Sequence, residues 1–262
     1  MSTLVPLVVL MYHVVEPQSG DPETDPHYAI SQAALQQHLA VIASLGRRAC
    51  SVRSLLHASA SVRASAVAFT FDDGHVSHAL AAQTLAEHGA EADFFVNPAL
   101  VGSGRRLSWS ALRELDRAGM SIQSHGLTHD YLDGMDTSTL DQTLRQSKAM
   151  IEDALGTPCV LFAPPGGRTH PALVERAHQA GYQGLCTSRP GRWRSAGDAT
   201  AGIPRLAIRA GTTAEALKAW IEGHRSTLAR EQARAALLWM GKRMLGNARY
   251  EQVRALALGR RT

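Results

Sequence analysis

Ser65-Ala66-Val67-Ala68-Phe69-Thr70-Phe71-Asp72-Asp73-Gly74 is the stretch on which the reading of this chain turns. Residues 65–71 are an apolar run rich in Ala, Val and Phe, the composition of a strand covered on both faces, as in a parallel sheet flanked by helices. The run stops at two adjacent carboxylates and a glycine. Parallel α/β folds carry their chemistry at the carboxyl ends of strands, where successive side chains point in different directions. One Asp there can hold a cation while its neighbour reaches a water molecule.

Outward from this strand, strand-like runs alternate with helical ones that end on glycine. Ser31 caps a helix through Leu45 with Gly46 beyond it, and His78 to His88 closes on Gly89. Trp109 to Ala118, Ser138 to Leu155 and Pro171 to Ala180 repeat the pattern with Gly119, Gly156 and Gly181. Strands are expected at Leu4 to Leu10, Ala92 to Val96, Met120 to Ser124, Val160 to Ala163, Gly184 to Thr187 and Leu206 to Ile208. This cadence predicts an α/β chain folded as a distorted (β/α) barrel, TIM-like with about seven strands, over residues 1–224. No G-x-G-x-x-G follows the first strand, so a dinucleotide site has no support.

The second segment with chemistry in it is Ser124-His125-Gly126-Leu127-Thr128-His129. On a helical turn, imidazoles at i and i+4 share one face and grip a single ion. Asp-Asp-Gly by itself is more often a turn, and His-x-x-x-His by itself is common on surface helices. Their joint occurrence at two strand ends favours a metal site. One carboxylate and two imidazoles leave coordination positions for a water and a carbonyl oxygen, as a catalytic site requires.

Thr70-Phe71-Asp72-Asp73-Gly74 and Ser124-His125-x-x-x-His129 resemble the first two motifs of the polysaccharide deacetylases of carbohydrate esterase family 4, over about residues 5–224. Phe162-Ala163-Pro164-Pro165-Gly166-Gly167 falls where the third motif is expected, and Met11-Tyr12-His13-Val14-Val15 resembles the first strand of exopolysaccharide-type members. The resemblance implies Asp72 as general base, Asp73, His125 and His129 as metal ligands, and Tyr12, Pro165 and Gly167 at the sugar site. It departs in the third motif, where Ala163, Pro164 and Gly166 stand in place of an Arg or aromatic. The late Leu-x-His motif with its general acid is not evident: residues 203–209 contain no imidazole. Of the fourth motif only Trp193 and Asp198 lie in the corresponding interval. His13, which follows the first strand, is the preferred substitute acid, against the reading of a strand-end His bound to a carbonyl. Arg205 is expected to stabilise charge near substrate, and His75 to touch it because it follows the Asp-Asp-Gly turn.

The function implied is removal of N-acetyl groups from a sugar of a polysaccharide or lipid-linked precursor by a divalent metal, Zn²⁺ by default, with Co²⁺, Ni²⁺ and Fe²⁺ accepting the same donors. Two alternatives stay open, a non-catalytic carbohydrate-binding descendant and a hydrolase of another amide or ester. With 262 residues, 45% hydrophobic and 19% charged, the chain can bury a large core. Cys50, Cys159 and Cys186 lack metal-ligand spacing and read as reduced thiols of a cytoplasmic protein. Leu4 to Leu10 lacks a basic flank and a cleavage site, so it reads as a strand rather than an export signal. Residues 225–262 carry nine Arg or Lys against Glu231 and Glu251, a local +7 that leaves −3 for the rest of a chain of net +4. Leu237, Leu238, Met240, Met244, Leu245, Val253, Leu256 and Leu258 recur there at near-helical spacing. This basic amphipathic tail is expected either to pack on the barrel or to meet an anionic membrane at its inner face. It matches no nucleic-acid reading motif, and no nucleic-acid partner is expected.

Overall fold

The structure, a computed structural model, describes residues 6–16, 25–194, 198–238 and 240–241. The start of the expected first strand and the tail positions Met244, Leu245, Val253, Leu256 and Leu258 lie outside the described residues. The strands are β1 (Val9–Tyr12), β2 (Val14–Glu16), β3 (Ala29–Ser31), β4 (Arg48–Cys50), β5 (Ala66–Phe71), β6 (Asp93–Val96), β7 (Ser121–Ser124), β8 (Leu161–Phe162), β9 (Gly184–Leu185) and β10 (Leu206–Ala207). The helices are α1 (Gln32–Ser44), α2 (Val52–Leu55), α3 (Ala60–Ala64), α4 (His78–Glu87), α5 (Trp109–Arg117), α6 (Thr137–Leu155), α7 (Leu173–Gln179), α8 (Ala199–Gly202) and α9 (Ala214–Glu222).

Side-chain caps start the longer helices, at Ser31 as the sequence indicates and at further sites that it did not mark. Ser31 accepts the Ala34 N–H, Ser108 that of Ala111 and Thr213 that of Ala216. Asp136 caps α6, one residue earlier than expected, and Gly156 ends it in the left-handed conformation (φ 71°).

Seven parallel strands follow one another in the order β10-β1-β5-β6-β7-β8-β9, and β4 pairs with the first half of β5. β2 and β3 form a separate parallel pair above β1. The ring closes through one parallel bridge, Cys186 to Ile203, where Ile203 N–H donates to Leu185 O (2.6 Å) and Thr187 N–H to Ile203 O (2.8 Å). The barrel is therefore distorted at the seam between β9 and β10.

The two-residue period of the strands sorts side chains between two cores. Val9, Ala66, Ala68, Phe95, Leu161, Ala163 and Cys186 pack together inside the barrel. Leu10, Phe69, Phe71, Phe94, Ile122 and Phe162 pack outward under the helices. Continued upward, the inward parity leads to His13, Asp72 and His125, one step beyond the ends of β1, β5 and β7. Trp193 belongs to the inner core, 1% exposed with the Arg63 guanidinium 3.9 Å over its ring, and Asp198 is exposed. Neither joins those residues.

At the opposite end of the barrel, Asp93 is fully buried and joins β6 to the start of α2. Its carboxyl accepts the Val52 N–H (2.5 Å) and the Arg53 N–H (3.3 Å). Burial pushes this carboxyl up to about 7, against the hydrogen bonds that favour ionisation. Its folded value lies above its unfolded one, so the stability it contributes is complete below about pH 4 and is lost as pH rises through about 7. Wild-type protein is expected to lose on the order of 2–3 kcal/mol relative to Asp93→Asn between about pH 5 and pH 7. Urea unfolding of both proteins across that range measures it, and parallel pH profiles would contradict the raised value.

Candidate active site

The chain leaves β5 with the Asp72 N–H donating to Tyr12 O (2.9 Å), which keeps Asp72 on the inward parity. Its carboxylate is 4% exposed and meets Arg205 two-pronged, Nη1 to Oδ1 at 2.7 Å and Nη2 to Oδ2 at 2.8 Å. Arg205 is fully buried inside the barrel. It also donates from Nη1 to Thr70 Oγ1 (3.1 Å) and from Nε to Thr187 O (3.1 Å), with its Cζ 5.4 Å over the Phe95 ring.

Asp73 turns the other way. It adopts φ 78°, and among the described residues only Asp73 and His129 (φ 65°) are non-glycine residues at positive φ. Such backbone costs on the order of 1 kcal/mol or more per residue and persists where the surroundings impose it. The two strained residues meet: His129 Nε2 is 3.1 Å from Asp73 Oδ1, and His125 Nε2 lies 3.3 Å from the same oxygen. The three ligand atoms lie within 4.8 Å of one another.

His125 and His129 do not sit on a helical turn, contrary to the sequence expectation. Residues 125–130 are a bent loop, and left-handed Gly126 (φ 80°) and His129 bring the imidazoles together. Asn97 holds this loop, its Nδ2 donating to His125 O (2.5 Å) and Gly126 O (3.4 Å). His125 Nδ1 is 2.8 Å from Ala163 O, and a carbonyl only accepts, so Nδ1 carries the proton. In the neutral ring Nε2 then presents its lone pair toward Asp73 and His129, as a metal-binding imidazole must. An oxygen and two imidazole nitrogens in this arrangement fit a divalent cation of borderline softness.

The third motif walls the site through close backbone packing. Gly166 (φ 60°) and Gly167 (φ 66°) lie in a 3₁₀ turn, where an added Cβ would come 2.6 Å from Tyr131 Cε1 and 2.7 Å from Ser188 Cβ. Pro165 is buried, with its Cγ 3.4 Å from where a Cβ on Gly126 would sit. The backbone N–H groups of Gly167 and Arg168 donate to Pro164 O and Pro165 O, both at 3.1 Å, and so close the turn on itself.

His13 lies between β1 and β2 with its ring 4.8 Å from that of Tyr28, and its buried Nδ1 has no hydrogen-bond partner among the described residues. His78 Nε2 bonds the His13 carbonyl and fixes the backbone there. Three other expectations are corrected. Tyr12 is 1% exposed, stacks on Phe69 and Phe71 and bonds His38 Nδ1 at 3.1 Å, so it is a core residue. Arg205 is sealed inside the barrel against Asp72 and does not face substrate. His75 is 3% exposed, with Nδ1 on Ser77 Oγ (2.8 Å) and Nε2 accepting from Arg105 Nε (3.3 Å), which makes it a brace of its loop. Nothing in the local sequence signalled the Asp72–Arg205 pair, although an arginine at an inward position of an apolar strand requires a buried carboxylate.

The site's charges are mutually adjusted. Burial opposes ionisation of Asp72, but Arg205 outweighs it and holds the carboxyl below its usual range. Burial likewise opposes ionisation of Asp73, and the hydrogen bonds from His125 and His129 hold it well below that range. Burial lowers His13, partly offset by Asp73 and Asp72, while for His125 the pull of Asp72 and Asp73 exceeds burial and raises it.

Residues 59–185 match the family model described as polysaccharide deacetylase. Two curated relatives come from Bacillus. YxkH of Bacillus subtilis, whose name places it with the polysaccharide deacetylases, is 26% identical over 60% of this chain and 56% of its own length. A peptidoglycan-N-acetylglucosamine deacetylase of Bacillus cereus is 29% identical over 45% of this chain and 54% of its own. The chain thus spans about half the length of the curated relatives it matches. The fold is shared with the Streptococcus pyogenes deacetylase PplD, at TM-score 0.74 and 23% identity, covering 81% of this chain and 96% of that one. It is also shared with IcaB of Ammonifex degensii, at TM-score 0.70 and 24% identity, covering 83% and 97%. The Asp-Asp and His-x-x-x-His segments both lie within residues 59–185, the part of the chain that is similar to the polysaccharide deacetylase family.

Proposed function

We propose that the chain is a metal-dependent hydrolase that removes the acetyl group from an N-acetylated sugar, in a polysaccharide or a lipid-linked glycan precursor. The observation that carries this reading is the convergence of Asp73, His125 and His129 beside a second carboxylate, Asp72, kept ionised by a buried arginine. Asp73, His125 and His129 would hold the cation, Zn²⁺ in the first instance, with Co²⁺, Ni²⁺ and Fe²⁺ suited to the same donors. A bound divalent cation supplies two things, polarisation of the acetamide carbonyl and acidification of a water.

The remaining work falls to the chain's own residues. Asp72 takes the proton of the attacking water, and each of its oxygens keeps a lone pair free of the Arg205 fork for that purpose. Arg205 fixes the carboxylate's rotation and keeps it charged, which makes it a positioning residue. Burial holds the His13 imidazole neutral at rest, and negative charge arriving beside the two carboxylates raises its proton affinity. It thus takes up a proton from solvent, becomes imidazolium and gives that proton to the departing amine, while the proton taken by Asp72 returns to solvent. Pro165 and Gly167 shape the wall of the sugar site. A protein that only binds sugar has no need of a second carboxylate with a buried arginine behind it. The free thiols of Cys50, Cys159 and Cys186 support a cytoplasmic enzyme.

Acetate release from N-acetylglucosamine oligomers by metal-reconstituted protein tests the reading. Asp72→Asn is expected to lower kcat by about a thousandfold with metal content retained, and His13→Gln by about a hundredfold with KM little changed. His125→Ala is expected to lose the metal itself. Full activity of Asp72→Asn would remove its role as base.

A stability cycle tests the positioning role of Arg205. Arg205→Met strands a buried charge and is expected to cost about 3–5 kcal/mol, whereas Asp72→Leu/Arg205→Met recovers most of that loss. Urea midpoints of the four proteins read it. Additive losses would mean that the two side chains are not coupled.

A further inference from the structure

The C-terminal helix carries two apolar faces, and the barrel covers only one. Residues 225–238, 240 and 241 are helical. Leu228, Glu231 and Ala235 form the row that faces the barrel, where Leu228 packs on the outer core. Polar anchors fix it there. Arg209 engages Glu231 with both guanidinium nitrogens, Gln232 Nε2 reaches Pro190 O (3.4 Å), and Arg234 Nη2 lies 2.7 Å from His27 Nε2. Arg209 follows β10, Pro190 follows β9, and His27 lies between β2 and β3, so the helix lies on the catalytic end of the barrel. It also lies beside the site, because the ring of Tyr28, next to His27, lies tilted against that of His13 at 4.8 Å.

The second face is Ala229, Ala233, Ala236, Leu237 and Met240, spaced i, i+4, i+7, i+8 and i+11 as an amphipathic helix requires. All five are exposed, Leu237 to 65% and Met240 to 46%. Packing on this barrel does not account for them. Arg225 and Arg230 are exposed on the same helix, and the following residues 242–262 hold six Arg or Lys against Glu251.

We infer that this outward face is a docking surface for an anionic lipid membrane, and that it holds the mouth of the barrel beside that membrane. Leu237 and Met240 enter the boundary between headgroups and acyl chains, while the surrounding arginines meet lipid phosphates. Charge decides between occupants. The +7 of residues 225–262 repels the same segment of a second copy, and a nucleic acid leaves Leu237 and Met240 uncovered. No helix among the described residues is long and apolar enough to cross a membrane, so the contact is peripheral. The inference goes beyond the catalytic reading and does not depend on it.

Co-sedimentation of the full chain with vesicles of phosphatidylglycerol mixed with phosphatidylcholine, against phosphatidylcholine alone, tests it. Wild-type protein is expected to bind the anionic vesicles at least about tenfold more tightly. About 1 M salt, which shortens the screening length to about 3 Å, should weaken that binding. Leu237→Glu/Met240→Glu and, separately, Arg225→Glu/Arg230→Glu should each reduce it about tenfold. Both variants should release acetate from soluble oligomers as wild type does, which separates loss of docking from loss of fold or of the deacetylase reading. Equal binding to both vesicle types, wild-type binding by the Leu237→Glu/Met240→Glu protein, or a dimer that this variant dissociates would each overturn the inference.

Discussion

The Asp72–Arg205 ion pair is the interaction around which the rest is arranged. Both side chains lie inside a barrel where an isolated charge costs several kcal/mol, and neither is tolerable without the other. Asp72 leaves β5 and Arg205 leads into β10, the strands on either side of β1. The pair therefore ties together the three strands at one edge of the seam, which among the described residues backbone bonding closes with the Cys186–Ile203 bridge and the Arg205 N–H to Arg189 O bond (3.1 Å). Thr70 and Thr187 take up further guanidinium donors, so the arginine's position is set from both sides of the seam. Side-chain chemistry finishes a ring that ladder hydrogen bonds leave incomplete, and in doing so it fixes the carboxylate beside the metal-type triad.

Much of this was legible in the sequence because it follows from local rules. The apolar run into Asp72, the Ser31 cap and the glycine stops act over a few residues, and they placed β5 to β10 and α1 and α4 to α7 to within a few positions, whereas the short β2, β3, β4, α2, α3 and α8 and the helix α9 were not read. The triad was also legible, since its members come from two compact segments. Arg205 was not, because its partner lies 133 residues away and the two meet only once the barrel curls. The available signal was parity. Leu206 and Ile208 point to the outer core, so Arg205 and Ala207 must point inward. Tyr12 was misplaced for the same reason: it is on the outward parity of β1, among Phe69 and Phe71, while its neighbour His13 is on the inward one.

The spacing of His125 and His129 shows how a correct pairing can rest on the wrong geometry. Four residues separate imidazoles on a helical turn, and four also separate them in a loop that doubles back through left-handed Gly126 and His129. A helix would have satisfied its own backbone. The loop does not, and Asn97 Nδ2 donates to the buried carbonyls of His125 and Gly126. What the loop gains is independent aim: His125 is set by Ala163 and His129 by its own strained backbone, so the nitrogens converge on Asp73 from different directions.

The same parity bears on the missing late histidine. Where that imidazole is expected, residues 203–209 place Arg205, and its guanidinium is committed to Asp72, so a second titrating group at that strand end would compete for the same carboxylate. β1 lies between β10 and β5, and its inward parity continues to His13. An imidazole there feels both carboxylates, which raise its proton affinity, and Arg205, which lowers it. His78 holds its carbonyl and Tyr28 covers its ring, so the group is positioned from the strand that the ion pair itself encloses. A proton donor beside β1, the role proposed for His13, is thus compatible with a charged arginine at the head of β10.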